Sequence, residues 1–98
     1  MSIDKNTCLE ILKNNSSEIL DTFEVSSLSL FGSFARGDYK DDSDIDILVS
    51  MPPKLKLVSA LKSYLENILN KPVDLIRLHD HISPRFLNTI SKDAISVF

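Results

Sequence analysis

Apolar and polar positions alternate with different periods in successive parts of this chain. Cys8, Leu9, Leu12, Ile19, Leu20 and Phe23 fall near helical spacing and predict an N-terminal helix over about residues 5–22. Asn14, Asn15, Ser16 and Ser17 are poor helix formers, so a bend or split is expected there. The run VSSLSLF (25–31) alternates toward its end and reads as a strand stopped by Gly32. A second strand is expected at DIDILV (44–49), with Ile45 and Ile47 on one face.

Met51-Pro52-Pro53 then interrupts the pattern, and Pro53 suits the first turn of a following helix. Leu57, Leu61, Tyr64, Leu65 and Ile68 form an apolar stripe that predicts this helix over about 54–69. Asn70 followed by Lys71-Pro72 supplies its stop. A third strand is expected at VDLIRL (73–78), a short helix at about Pro84–Ser91, and a strand-like end at AISVF. The order is helix, two strands, helix, strand, helix, strand. It implies an α/β (α+β) fold, a small mixed sheet with helices packed on it. A single domain is expected over residues 1–98, with the N-terminal helix leading into a core of about 25–98.

Composition narrows the field further. At 43% hydrophobic and 26% charged residues, the chain has the make-up of an ordinary globular domain. Its net charge of −3 gives no broad attraction to nucleic acid or to an anionic membrane. Cys8 is the sole cysteine, so no internal disulfide forms and a reducing cytoplasm is the expected setting. Asp4 and Glu10 interrupt any signal-peptide core, and no apolar run approaches the roughly 18–20 residues needed to span a bilayer.

Two carboxylates inside the most strand-like segment call for an explanation. Strand side chains alternate, so Asp44 and Asp46 should share a face about 6.6–6.8 Å apart along the chain. Like charges at that spacing repel, and a hard divalent cation such as magnesium relieves the repulsion. Asp74 is flanked by Val73 and Leu75 much as Asp46 is flanked by Ile45 and Ile47. If their strands are neighbours, three carboxylates converge on one patch, the requirement of a two-metal phosphoryl-transfer site. An exposed strand edge is the plainer reading of Asp-x-Asp alone. An EF-hand shares the spacing of Asp42, Asp44 and Asp46 but fails, because its glycine position is Ile47 and its glutamate position is Pro53.

The turn before these residues strengthens the catalytic reading. Gly32 closes a strand and Ser33 opens SFAR, a candidate helical turn whose free N–H groups suit phosphate. Gly32 and Gly37 have P-loop spacing, but Asp38 stands where the lysine belongs, and no G-x-G-x-x-G occurs. His79 and His81 flank Asp80 and are expected in a solvated loop. Lys54, Lys56, Lys62 and Lys71 are assigned to a wet helical face and its end. Tyr64 is assigned to the core, and Tyr39 either stacks on a base or covers apolar surface.

Taken together, LFGSFARG, a short spacer, SDIDILV and the later VDLI resemble the minimal nucleotidyltransferases of the DNA polymerase β-like superfamily. The likeness runs from about Leu28 to Phe98 and includes the ending SPRFLNTISKDAISVF. By that resemblance Gly32 and Ser33 match the triphosphate-binding pair, and Asp44 and Asp46 match the metal ligands. Asp74 matches the third carboxylate, which ligates metal and helps activate the incoming hydroxyl. Arg36 matches the family arginine and either contacts phosphate or braces the loop. Asp38 stands where many relatives carry Glu.

The resemblance implies a polymerase β-like fold and a magnesium-dependent enzyme, with two metal ions, that transfers AMP from ATP to a hydroxyl. Stand-alone members of this size often act as antitoxins. The implied partner is a HEPN-domain ribonuclease toxin modified on tyrosine and held in a hetero-oligomer, with no direct nucleic-acid contact. The alternative is a non-catalytic antitoxin that neutralises its partner by contact.

Overall fold

The computed structural model describes residues 3–98; residues 1 and 2, the start of the expected domain span, lie outside it. Helix α1 spans Lys5–Asn14 and is capped by Asp4, whose carboxylate accepts a 2.7 Å hydrogen bond from the Thr7 N–H. The expected break falls at Asn15. Its side-chain amide donates to the Ile11 carbonyl at 2.8 Å, so it competes with the helix ladder instead of extending it. Helix α2 then runs Ser16–Thr22, and the single helix anticipated over 5–22 is two.

Strand β1 covers Ser27–Phe31, two residues short of the expected start. Glu24 has φ of +55°, a left-handed turn that leaves Val25 in the core but outside the ladder. A five-residue helix α3, Gly32–Arg36, follows directly. Strand β2 is Ile45–Ser50, so Asp44 lies immediately before the strand, not within it. Helix α4 covers Leu55–Leu69 with Lys54 as its N-cap, so Pro53 sits before the helix and not in its first turn. Leu61, Leu65 and Leu69 are buried by its inner face. It ends at Asn70 in the left-handed conformation, φ +54°, which Asn adopts at lower cost than most side chains.

Strand β3, Val73–Arg77, is followed by α5, Pro84–Ser91, and by the short β4, Ile95–Ser96. The expected strands at 73–78 and 94–98 are thus shorter, although Leu78, Val97 and Phe98 still form backbone hydrogen bonds with the neighbouring strands. The sheet order is β3-β2-β1-β4. β1 lies antiparallel to both β2 and β4, whereas β2 and β3 are parallel. A parallel pair needs a crossover, and α4 provides it. Ile45, Ile47 and Val49 are fully buried on one face of β2, where they meet Leu28, Leu30, Leu61 and Leu65 in the core. The alternate face of β2 carries Asp46, Leu48 and Ser50, which are only half-buried. Among the described residues no helix is long and apolar enough to cross a membrane.

Candidate active site

Register decides where the carboxylates go. In the antiparallel pair Asp46 is opposite Phe31, the last residue of β1; in the parallel pair it is opposite Asp74. The end of β1, the start of β2 and the start of β3 therefore meet at one end of the sheet. Asp46 stands in the middle, half-buried, with the exposed Asp74 on the next strand and the exposed Asp44 two residues earlier. Burial raises the Asp46 pKa above the ordinary carboxylate value, and the charges of Asp74 and Asp44 push it further up. Arg36 acts in the opposite direction.

Among the described residues, none of these three carboxylates has a hydrogen-bond or ion-pair partner. Nor do any three His, Cys, Asp or Glu side chains among them form a ready-made cation cage. The three aspartates share a patch and an electrostatic field without closing on a common point. Magnesium keeps several waters and takes one or two carboxylates together with substrate phosphates. The donor set is all oxygen, as a hard cation requires.

Gly32 lies directly beneath this patch. Its φ is +73°, and a Cβ placed on it would overlap the Asp46 carboxylate, coming within 2.9 Å of Cγ. The chain turns there from β1 into α3, with Phe31 as an N-cap that supplies no side-chain hydrogen bond. The first N–H groups of α3 consequently have no side-chain capping acceptor among the described residues. Ser33, half-exposed, directs no side-chain hydrogen bond to any described residue.

The rest of α3 is anchored. Phe34 and Ala35 are buried, and Gly37, at φ +88°, ends the helix by donating its N–H to the Ser33 carbonyl. Tyr39 stacks on Phe34 with ring centroids 4.2 Å apart and 5° between planes, and its hydroxyl accepts a bond from the Lys5 N–H. Tyr39 thus covers apolar surface. Lys71 donates to the Asp41 carbonyl at 2.6 Å and lies 5.9 Å from the Phe34 ring centre, tying the loop before β2 to the start of β3.

Arg36 braces the turn. Its Nε donates to Asp38 at 3.1 Å, and its Nη1 reaches Asp93, beyond α5, at 3.5 Å. Nothing in the sequence pairs Arg36 with Asp93, which are 57 positions apart. Tyr64 packs against Phe23 and donates its hydroxyl to Asn15, half-buried at the core's margin. His79 and His81 are exposed, as expected, and the His81 N–H donates to His79 Nδ1.

Comparison with known proteins agrees with this architecture. The profile of the family described as polymerase beta, nucleotidyltransferase, matches residues 6–98. A Methanocaldococcus jannaschii protein provisionally named a protein adenylyltransferase is 49% identical over 70 residues, covering 68% of this chain and 80% of its own. The protein adenylyltransferase MntA of Thermococcus cleftensis is 34% identical over 90 residues, 89% of either chain. A solved structure provisionally described as a minimal nucleotidyltransferase superposes with a TM-score of 0.78 at 28% identity, over 95% of both chains. A complex of tri-AMPylated Shewanella oneidensis HEPN toxin with its MNT antitoxin shares the fold. It superposes at TM-score 0.64 and 20% identity over 92% of this chain and 71% of that one.

Proposed function

The chain belongs to the polymerase beta, nucleotidyltransferase family, and from that premise we propose that it transfers AMP from ATP to a protein hydroxyl. The acceptor in this reading is a tyrosine of a HEPN-type toxin, and the chain is that toxin's antitoxin. One observation carries the catalytic part: Asp46 faces Asp74 across the parallel pair while the Gly32 backbone approaches the same carboxylate. In this reading a phosphate-binding backbone stands beside anionic metal ligands. The antitoxin part is supported by the relatives named for protein adenylylation and by the fold shared with the antitoxin of the AMPylated toxin complex.

Each residue then has a task. The N–H groups at the start of α3 and the Ser33 hydroxyl hold the β- and γ-phosphates, where donors to an anion are well placed. Asp44 and Asp46 hold magnesium, with Asp74 completing the set. When bound, the metal neutralises charge on the transferring and leaving groups. Asp74, exposed at the rim, orients the entering hydroxyl and receives its proton as the oxygen bonds to the α-phosphorus. The bond from the α-phosphorus to the bridging oxygen breaks, and pyrophosphate leaves. Arg36, held at the rim by Asp38 and Asp93, is near enough to Asp46 to lower its pKa and supplies positive charge beside the phosphates. A cytoplasmic location follows from the proposed partner.

The test is co-expression with a cognate HEPN-type partner, followed by intact-mass measurement of that partner. The expected result is an increase by whole AMP residues located on tyrosine, absent with Asp44→Asn/Asp46→Asn. Full neutralisation by the double variant without any adduct would establish contact alone as the mechanism.

A further inference from the structure

A cleft of about 170 Å³ opens beside the phosphate turn, between α3 and α5. Gly32 and Arg36 form one side; Phe86, Thr89, Ile90 and Asp93 form the other. These four recur at i, i+3, i+4 and i+7, so a single face of α5 and its exit supplies that wall. Ile90 is buried and makes the floor, whereas Phe86, one turn earlier, is 40% exposed. Few large apolar side chains are so uncovered in the described chain, and this one stands beside the turn proposed to hold triphosphate.

We propose that this cleft receives the base of the donor nucleotide, with the ring of Phe86 as its stacking surface. The inference rests on the nucleotidyl-transfer reading and specifies a subsite that the carboxylates and the Gly-Ser turn do not. Tethering favours the base as occupant. Phosphates bound at Gly32 place the rest of the same molecule within reach of a cleft that Gly32 also lines. The volume is enough for one flat ring system. The lining suits it as well: Phe86 and Ile90 offer apolar surface to the ring, while the Asp93 carboxylate is paired with Arg36 and the Thr89 hydroxyl donates to the Arg85 carbonyl.

Titration with ATP and with inorganic tripolyphosphate, both with magnesium, separates the possibilities. Phe86→Ala is expected to weaken ATP binding about five- to a hundredfold, the range of base–aromatic stacking, and to leave tripolyphosphate binding unchanged. Phe86→Tyr should restore ATP affinity. Because Phe86 is not part of the buried core, the variant should still unfold cooperatively and melt within several degrees of wild type, which checks that it is folded. Equal ATP affinity in wild type and Phe86→Ala would overturn the assignment, and a slower transfer at unchanged ATP affinity would hand the cleft to the acceptor. Equal weakening for both ligands would also overturn it, since Phe86 would then act through the phosphate turn. If wild type binds neither ligand, the underlying nucleotidyl-transfer reading fails, a result distinct from failure of the cleft alone.

Discussion

The Asp46 carboxylate occupies the space where a side chain on residue 32 would lie. Two requirements meet at this point: the backbone of Gly32 must turn at φ +73°, and it must do so against an anionic group from the neighbouring strand. A substituent there strains the turn and displaces the carboxylate together. Gly37, at the other end of α3, has φ of +88° with open space around its missing Cβ.

The contrast gives the first prediction. Gly32→Ala and Gly37→Ala should each lose about 1–3 kcal/mol of stability through the left-handed backbone alone. Only Gly32→Ala also moves Asp46, so only it should abolish most AMP transfer. Thermal melting and a transfer assay on both variants make the comparison. Equal activity losses would show that the Gly32–Asp46 approach has no part in function.

A second prediction follows from the raised pKa of Asp46. In the folded protein this carboxyl binds its proton more tightly than in the unfolded chain. The contribution of Asp46 to metal-free stability is therefore fully present below the ordinary carboxylate pKa of 3.8 and is lost as pH rises through the raised folded value. Asp46→Asn removes that loss. Without divalent ions the variant should melt at or above wild type near neutral pH, and the gap should close in acid. A variant less stable than wild type at neutral pH would contradict the assigned burial and repulsion.

Magnesium should reverse that order. A cation held by Asp44 and Asp46 stabilises the folded state by mass action, about 2.7 kcal/mol at a hundred times its Kd. The melting temperature of wild type should rise with magnesium and nucleotide together, while Asp46→Asn should respond weakly. Transfer by Asp44→Asn or Asp46→Asn should fall by about a hundredfold or more, since even outer partners of metal ligands are worth roughly 10–100-fold. Undiminished transfer in either variant would remove that aspartate from the site.

Ser33→Ala tests the phosphate turn with less disturbance than any change at Gly32. The hydroxyl has no described partner to lose, so stability should change by less than about 0.5 kcal/mol. A bond to a charged phosphate contributes about 1.5–3 kcal/mol, which makes triphosphate binding roughly tenfold to a hundredfold weaker. Isothermal titration of ATP with magnesium present reads this directly. Unchanged affinity would place the phosphates away from Ser33.

Local signals in the chain determined most of the elements. The spacing of Leu61 and Leu65 and the stop at Asn70 identified α4, and the poor formers around Asn15 marked the break between α1 and α2. Alternation about Ile45 and Ile47 set which face of β2 is buried, and so which way Asp46 points. These are short-range effects, carried by side-chain period and backbone propensity. Strand pairing was beyond them. That β3 lies parallel to β2 with Asp74 beside Asp46, and that β1 delivers Gly32 against the same carboxylate, depends on register across the sheet. The Arg36–Asp93 contact and the cleft under Phe86 likewise join positions more than 50 residues apart. Such contacts form only when the whole core packs, because the apolar residues that fix their geometry come from every element at once.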